Sequence, residues 1–348
     1  MKPTITEIAR IAGVAKSTVS KALNGQNGVS DEKRNEILEL VRRMQYEPNA
    51  SAQALASNRS GAIGLLIPLE YGGSLSGSFW ASIITTIASV VKTRNYALNI
   101  LIPDAENNVL GTIESVVRRR NVDGLIIGAE RMTPTIANLL DREHIPFVLI
   151  GRNTTVNHHA VDADNAQGSE EVVSRLIESG YRHIACLGGP EGYHYSHERI
   201  QGYHRALDRH DIPWRAVSNA VYADNEVRLA LKELITKHPD IDALFVTSGG
   251  DFLLDSIDIL SRHNYSLSNF GFGSFDDYRF FDYLGIDIWS VRQPLEDLGR
   301  ESALMLLSLL NGTPPADLYQ TCPVTLIHHQ GLRQSNGDFM HENANLTG

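Results

Sequence analysis

A basic stretch near the amino terminus, AGVAKSTVSKALNG at residues 12–25, interleaves cationic and hydroxyl side chains. Lys16 and Lys21 alternate with Ser17 and Ser20 over a span that predicts one short helix. Residues three or four positions apart lie on the same side of a helix, so these groups form one face of hydrogen-bond donors. Such a face suits phosphate oxygens and base edges rather than covalent chemistry.

Three short helices are predicted within the first 47 residues, and they would hold this face in place. Thr4 and Glu7 have the spacing of a capping box at the start of the first helix, and Gly13 is placed to end it. Ser30 is the predicted N-cap of the third helix, whose first turn is acidic.

The second helix has an apolar side, which predicts how it is oriented. Val19, Ala22 and Leu23 form this side and are expected to pack inward, which leaves the lysines and serines facing outward. Two short helices joined by a tight turn and backed by a third form a helix-turn-helix domain. In that arrangement the second helix lies in the major groove of DNA.

Charge is distributed unevenly along the chain. Residues 1–59 carry nine Lys and Arg against six Asp and Glu, whereas the remainder carries 22 basic and 35 acidic residues. A basic head on an acidic body favours a polyanionic partner for the head alone. The segment EPNASAQALASNRSG between them predicts a short helix, too short to be stable in isolation, and therefore a hinge.

The body alternates apolar runs of strand length with amphipathic helices. The predicted strands are residues 62–68, 97–103, 123–129, 146–151, 183–189, 219–223, 243–248 and 269–275. Continuous apolar strands indicate parallel sheets covered on both faces, here two sheets joined near residues 158–164. Ligands of such sheets bind beyond the carboxyl ends of the strands, so two facing sheets predict a cleft.

Other functional classes have little support in the sequence. Ser196, His197 and Glu198 are consecutive and cannot converge as a catalytic triad on a helix, so no enzyme activity, cofactor or metal is predicted. The paired histidines at 158–159 and 328–329 are interpreted as surface residues. Two isolated cysteines, with no apolar span or signal peptide, predict a cytoplasmic protein without a membrane partner.

Several segments together resemble the lactose and galactose repressor family of transcriptional regulators. They are TITEIARIAGVAKSTVSKALNG, VSDEKRNEILELVRRMQYEPNASAQALAS, VDADNAQGSEEVVSRLIESGYRHIACLGG, ERIQGYHRAL, and FDD followed by SVRQP. The resemblance implies an α/β protein in which a small all-α helix-turn-helix head is joined by a hinge helix to a doubly wound, parallel-sheet body. That body would have the two-subdomain fold of type I periplasmic binding proteins, would form a homodimer, and would bind a small effector.

The resemblance also implies domain limits. They are residues 1–47 for the head, 48–60 for the hinge, 61–332 for the body and 333–348 for a tail. The two subdomains would be about 61–160 plus 291–322, and 161–290 plus 323–332.

Site residues follow from the resemblance position by position. Those implied for contact with a pseudo-palindromic operator are Lys16, Ser17, Thr18, Ser20, Lys21 and Asn24, with Ala52 and Leu55 in the hinge. Leu55 would be the apolar wedge that enters the minor groove. Those implied for the effector are Phe79, Trp80, Ser196, Arg199, Tyr222, Asp251, Asp276 and Gln293. A sugar or sugar phosphate is the expected effector, with Arg152 or Arg292 as a candidate phosphate ligand.

Three features differ from the family pattern. Ala15 stands where a serine would cap the recognition helix, Gly250 with Asp251 stands where many members carry Asn-Asp, and Ser274 stands at a usual glycine. Two alternatives to a repressor also remain open at this point. They are a sugar-processing enzyme and a sugar-binding receptor module without a DNA function.

Overall fold

The computed structural model describes residues 3–23, 25–46, 59–67, 78–103, 108–221 and 225–331. The chain divides into two compact units, Met1–Gly61 and Ala62–Gly348. The predicted site positions Asn24, Ala52, Leu55 and Tyr222 lie outside the described residues, as do most of the predicted hinge and the whole predicted tail.

The amino-terminal unit consists of three helices around a small core. They are α1 (Ile5–Ala12), α2 (Lys16–Leu23) and α3 (Asp31–Arg43). Ile8, Val19 and Ile37, one from each helix, are fully buried against one another. Because each helix buries one apolar stripe, the outer side of α2 is left to polar residues.

The predicted helix caps are confirmed. The backbone N–H of Glu7 donates to Thr4 Oγ1 at 3.3 Å, and that of Lys33 donates to Ser30 Oγ at 3.4 Å. Gly13 ends α1 with φ of 63°, a left-handed conformation that glycine adopts without steric cost.

The second unit contains twelve described strands and eight described helices. In chain order they are β1 (Ala62–Leu66), α4 (Ser78–Lys92), β2 (Ala97–Leu101), α5 (Val109–Arg119), β3 (Gly124–Gly128), α6 (Pro134–Arg142), β4 (Phe147–Ile150), β5 (Ala160–Ala163), α7 (Asn165–Glu178), β6 (Ile184–Gly188), α8 (His194–Arg209), β7 (Ala216–Asn219), α9 (Glu226–Lys237), β8 (Ala243–Val246), α10 (Gly249–Arg262), β9 (Gly271–Phe275), β10 (Ile288–Arg292), α11 (Leu295–Leu310), β11 (Tyr319–Cys322) and β12 (Thr325–His329). Single 3-10 turns lie at Ala129–Arg131, Leu267–Asn269 and Arg279–Tyr283.

These strands form two six-stranded sheets. The first has the order β11-β5-β4-β3-β1-β2 and the second the order β12-β10-β9-β8-β6-β7. Every pairing is parallel except that of β10 with β12. The prediction of two parallel sheets is therefore confirmed.

Both sheets are covered on both faces, which explains their continuous apolar strands. In β1, Ile63 and Leu65 belong to the core under α4 and α11, whereas Leu66 belongs to the core under α5 and α6. In the second sheet, α7 and α8 cover one face, and α9 and α10 cover the other. Where α7 meets α8, a side chain at Gly202 would overlap the carbonyl oxygen of Ala166.

The chain crosses between the two sheets three times. It passes from β5 to β6 through α7, returns from β10 to β11 through α11, and passes from β11 directly to β12. The first crossing begins after β5, which lies within the predicted junction 158–164 and belongs to the first sheet. The carboxyl ends of the parallel strands of both sheets open toward the region between them.

Three expectations from sequence need correction. Strand β7 occupies residues 216–219 rather than 219–223, because Ala216 to Asn219 pair in register with β6 on a half-exposed sheet edge. The sequence does not predict the short strands β5, β10, β11 and β12, because polar residues in each leave no continuous apolar run of strand length. His329 is buried rather than on the surface, and its ring nitrogens lie 2.6 Å from Asp277 and Asp282.

Over the part of the chain that the structure describes, no helix is long and apolar enough to cross a membrane.

Candidate nucleic-acid interface and ligand cleft

The outer face of α2 exposes the donors that the sequence singled out. Lys16, Ser17 and Lys21 are exposed, while Thr18 and Ser20 are half-buried. Two of the three inward residues, Val19 and Ala22, are buried as expected, and Leu23 packs against them while partly exposed. The helix therefore presents a cationic and hydroxyl face on a rigid support, as binding to a groove requires.

The ends of α2 are held by backbone groups rather than by a side-chain cap from residue 15. The carbonyl of Ala15 accepts hydrogen bonds from the N–H groups of Thr18 and Val19. After the helix, the Arg34 guanidinium donates to the carbonyl of Gln26 at 2.7 Å and ties the following turn to α3. These bonds fix the start and the exit of α2.

Arg199 lies at the centre of the candidate ligand cleft in the second unit. Its Nε donates to Asn165 Oδ1 at 2.8 Å, and its Nη1 donates to the carbonyl of Thr247 at 2.7 Å. The guanidinium stacks over Phe275 at 3.6 Å and over Tyr195 at 4.8 Å from the ring centroids. Because Thr247 follows β8 and Phe275 ends β9, Arg199 lies at the carboxyl edge of the second sheet, and its partner Asn165 follows β5 of the first sheet.

Two buried hydroxyls accompany Arg199. Ser196 and Ser248 are 2% and 0% exposed, and the side-chain oxygen of neither has a hydrogen-bond partner among the described residues. Both oxygens border the space that a side chain on Gly189 would fill. Buried hydroxyls are normally satisfied, so two without a described partner near Arg199 indicate a place for ligand hydroxyl groups.

Asp276 and Gln293 are brought together by the fold. The amide of Gln293 donates to one carboxylate oxygen of Asp276, and the N–H of Gly249 donates to the other at 3.2 Å. Asp276 has φ of 81°, a left-handed conformation unusual outside glycine, and it is held by these two bonds. The neighbouring Asp277 instead binds Arg292, Ser290 and His329 and has a structural role.

The remaining predicted ligand residues fall into two groups. Phe79 and Trp80 lie in the first turn of α4, form an edge-to-face pair at 5.3 Å, and pack partly buried against the core of the first sheet. Asp251 lies in the first turn of α10, where only its backbone is described. No described contact joins Phe79 or Trp80 to Arg199 or Asp276.

A cavity of about 210 Å³ lies between the two sheets beside this site. It is lined by Ala129, Glu130, Met132, Arg152, Asn153, Thr154 and Thr155 of the first sheet's loops, and by Gly192, Tyr193, His194 and Tyr195 at the start of α8. Tyr195 separates the cavity from Arg199, because its ring contacts both.

Four ionisable residues meet at the rear of this cavity, and we call them the cleft cluster: Arg152, Asp162, His194 and Glu198. Arg152 Nη1 lies 3.8 Å from Glu198 Oε1, and His194 Nδ1 lies 3.5 Å from Glu198 Oε2. The ion pair with Arg152 joins the first sheet's loops to α8 of the second sheet. The cleft cluster therefore bridges the two subdomains.

The pKa values in the cleft cluster are shifted by burial and by neighbouring charges. Burial, with a smaller contribution from the negative charge of Glu198, raises the pKa of Asp162 to about 6. The Glu198 carboxylate raises the pKa of His194. Burial alone would raise the pKa of Glu198, but His194 and Arg152 lower it below its ordinary value.

Sequence reasoning missed most of the cleft cluster. Arg152 was considered only as a phosphate ligand, and Asp162, His194 and Glu198 were assigned no part in the cleft. A carboxylate inside the short strand VDA was the available signal, since an ionisable residue is rarely buried without a partner.

The three-helix head and the two-sheet body around a cleft define a class, the ligand-controlled DNA-binding regulators. Residues 4–49 match the family model of bacterial regulatory proteins of the lacI family. Residues 60–256 match the model of periplasmic binding proteins and the sugar binding domain of the LacI family. The chain belongs to the LacI family of bacterial regulatory proteins, and the resemblance stated from its sequence is confirmed.

Relatives and solved structures agree along the whole chain. The HTH-type transcriptional regulator CelR of Thermobifida fusca is 27% identical over 320 residues, which cover 89% of this chain and 93% of CelR. The ribose operon repressor of Halalkalibacterium halodurans is 26% identical over 330 residues, which cover 91% of this chain and 93% of that repressor.

Two solved structures share the fold. A complex of the transcriptional regulator CelR with cellobiose superposes with a TM-score of 0.70 at 24% identity, covering 94% of this chain and all of that one. The lac repressor dimer bound to operator and the anti-inducer ONPF superposes with a TM-score of 0.75 at 20% identity, covering 95% and 100%.

Proposed function

We propose that this protein is a homodimeric, cytoplasmic transcriptional repressor that binds a pseudo-palindromic operator and is controlled by a carbohydrate in the cleft. The observation that carries the proposal is the exposed face of Lys16, Ser17 and Lys21 on the second helix of a capped three-helix head. Lysines there would contact phosphates, and hydroxyls would contact phosphates or base edges.

The carbohydrate assignment rests on the chemistry of the cleft. Arg199, Asp276 and the hydroxyls of Ser196 and Ser248 offer charged and neutral partners for ligand hydroxyl groups. Relatives support this assignment, since CelR is described in complex with cellobiose and another relative is named a ribose operon repressor.

Control would operate by linkage between the two sites. A ligand that contacts the carboxyl edges of both sheets changes the relative stability of open and closed clefts. Such coupling is reciprocal and typically about 1 to 3 kcal/mol, so operator and effector each change the affinity of the other. In the proposed dimer, the change would reach the DNA through the hinge residues Ala52 and Leu55.

The experiment begins with selection of bound duplexes from a random library by the full-length protein. We expect an inverted repeat, and we expect Lys16→Ala and Leu55→Ala to weaken its binding in fluorescence anisotropy. A carbohydrate that raises the melting temperature must then alter operator affinity. Selection of no symmetric sequence, or unchanged binding by both variants, would contradict the proposal.

A further inference from the structure

The cavity is lined by one arginine, Arg152, and one glutamate, Glu130, and the carboxylates of Asp162 and Glu198 lie close to its lining residues Arg152 and His194. We propose that the effector is an uncharged carbohydrate and that sugar phosphates and sugar acids are excluded. This inference rests on the proposed function, because it concerns the ligand of the same cleft. It selects the uncharged sugar over the sugar phosphate, the two effector types that the sequence left open.

The cavity beside Arg199 offers a single fixed cation. Among the described residues that line it, Arg152 alone is permanently positive and Glu130 carries a negative charge. A phosphorylated ligand in this cavity would therefore depend on Arg152.

Arg152 is already engaged with protein groups. Its Nη1 lies 3.8 Å from Glu198 Oε1, its Nη2 donates to Thr321 Oγ1 at 3.0 Å, and its guanidinium lies 5.2 Å from the Tyr319 ring centroid. The side chains of Arg152 and Glu198 are 29% and 19% exposed, so solvent screens this pair less than a surface pair. Glu198 thus neutralises the charge that a phosphate would need.

A second carboxylate makes the site still less favourable for an anion. Oxygens of Asp162 and Glu198 and a ring nitrogen of His194 all lie within 4.8 Å of one another. Asp162 is only 6% exposed, so its charge acts through a medium of low dielectric constant. Burial is the main cause of the raised pKa of Asp162, about 6, and the negative charge of Glu198 adds to it.

Arg292 and Arg199 are also engaged with protein groups. Arg292 is paired with the carboxylate of Asp277 through Nε at 2.9 Å and Nη2 at 2.8 Å. Arg199 has two N–H groups committed to Asn165 and to the Thr247 carbonyl, and its guanidinium carbon lies 3.6 Å from the Phe275 ring centroid and 4.8 Å from that of Tyr195. The remaining N–H groups of Arg199 can donate to ligand hydroxyls.

One feature opposes this inference, namely the amino terminus of α8, which borders the cavity at His194. A helix amino terminus has a positive potential equivalent to about half a charge. Glu198 lies on the same helix one turn later but is paired with Arg152 and His194, so the carboxylate of Asp162 is the charge in the cleft cluster that opposes this potential.

The test uses the full-length protein and matched ligand pairs in EDTA-containing buffer, so that no divalent cation bridges a phosphate to the carboxylates. Glucose is compared with glucose 6-phosphate, fructose with fructose 1-phosphate, galactose with galacturonate, and cellobiose with cellobionate, by thermal shift and then calorimetry. We expect binding by at least one neutral member, with its charged partner at least about tenfold weaker.

The outcomes separate this inference from the proposed function. A charged sugar that binds more tightly than its neutral partner and alters operator affinity overturns the inference but leaves the proposed function intact. If no carbohydrate of either kind binds, the inference and the carbohydrate part of the proposed function are both rejected.

A substitution tests whether the cleft cluster causes the preference for uncharged ligands. Glu198→Gln frees Arg152 and should raise affinity for the charged member of a pair about tenfold relative to the neutral one. Glu178→Gln, on the exposed end of α7, is the matched control and should change neither the affinity for the charged ligand nor that for the neutral one. If a folded Glu198→Gln protein keeps the wild-type preference for the neutral ligand, the role of Glu198 is overturned. Arg152→Gln removes the cation itself, so this variant should gain no affinity for the phosphorylated ligand, which is a second check.

Discussion

The guanidinium carbon of Arg199 lies 3.6 Å from the centroid of the Phe275 ring, within contact distance for a cation stacked on an aromatic face. Phe275 is the last residue of β9, and Asp276 follows it directly. The stack therefore places the arginine and the carboxylate of the cleft on one rigid edge of the second sheet.

Arg199→Lys should weaken effector binding at least about tenfold while leaving operator binding without effector nearly unchanged. A lysine ammonium cannot reach Asn165 and the Thr247 carbonyl together while stacking on Phe275. Calorimetry with the carbohydrate found by thermal shift measures the effector affinity, and fluorescence anisotropy measures the operator affinity. Arg205→Lys, on an exposed position of the same helix, is the control. Equal affinities for Arg199→Lys and the wild type would exclude Arg199 from the ligand site.

Lys21→Ala should weaken operator binding in a salt-dependent way. Loss of one phosphate contact lowers the slope of log affinity against log salt by about 1. Arg42→Ala removes an equal charge from the last turn of α3 and should leave the slope nearly unchanged. Identical slopes for Lys21→Ala and wild type would show that Lys21 faces away from phosphate.

Gly202→Ala should destabilise the body by about 1 to 3 kcal/mol. The added methyl group would overlap the Ala166 carbonyl oxygen and approach Ser169 Cβ at 2.7 Å, forcing α7 and α8 apart. Urea denaturation measures the loss. Gln201→Ala at the preceding half-buried position should cost less, and a Gly202→Ala protein as stable as wild type would contradict the close packing.

Lowering the pH should stabilise the wild-type protein relative to Asp162→Asn. The pKa of Asp162 is raised to about 6, so the native state binds this proton more tightly than the unfolded state does. The ionised carboxylate costs about 3 kcal/mol well above pH 6, and this cost disappears as the pH falls toward the unfolded pKa near 4. The pKa of His194 is also raised, so His194 too makes the native state more stable as the pH falls. The pKa of Glu198 is lowered, so the stability that its carboxylate contributes is lost only at lower pH.

Urea midpoints of the two proteins at about pH 7.5 and about pH 5 check this expectation. The difference in unfolding free energy, wild type minus variant, should become more positive at the lower pH. A difference that is constant between these pH values would mean that Asp162 titrates as an ordinary exposed carboxyl.

Local signals were sufficient to predict the head and much of the body. Thr4, Gly13 and Ser30 act through bonds to residues three or four positions away, so their roles are readable from spacing alone. Long apolar strands such as β3 are equally readable, because burial on both faces demands continuous apolar sequence.

Long-range pairing was beyond the sequence. Strand β11 exists because Tyr319 to Cys322 pair with β5, far away in the chain, and nothing in YQTC itself favours a strand there. The cleft cluster has the same origin, since Arg152 and Glu198 meet only when the two sheets are in place. Individual residue types in these segments gave no indication of their partners.

The three crossings between the sheets restrict how the body can move. β11 is paired with β5 in the first sheet and β12 with β10 in the second, and only two residues join β11 to β12, so this short connection limits how far the sheets can slide or separate. Opening and closing then amount to one angular coordinate. A single pair of spectroscopic labels, one on α6 and one on α9, would follow the entire movement as one distance.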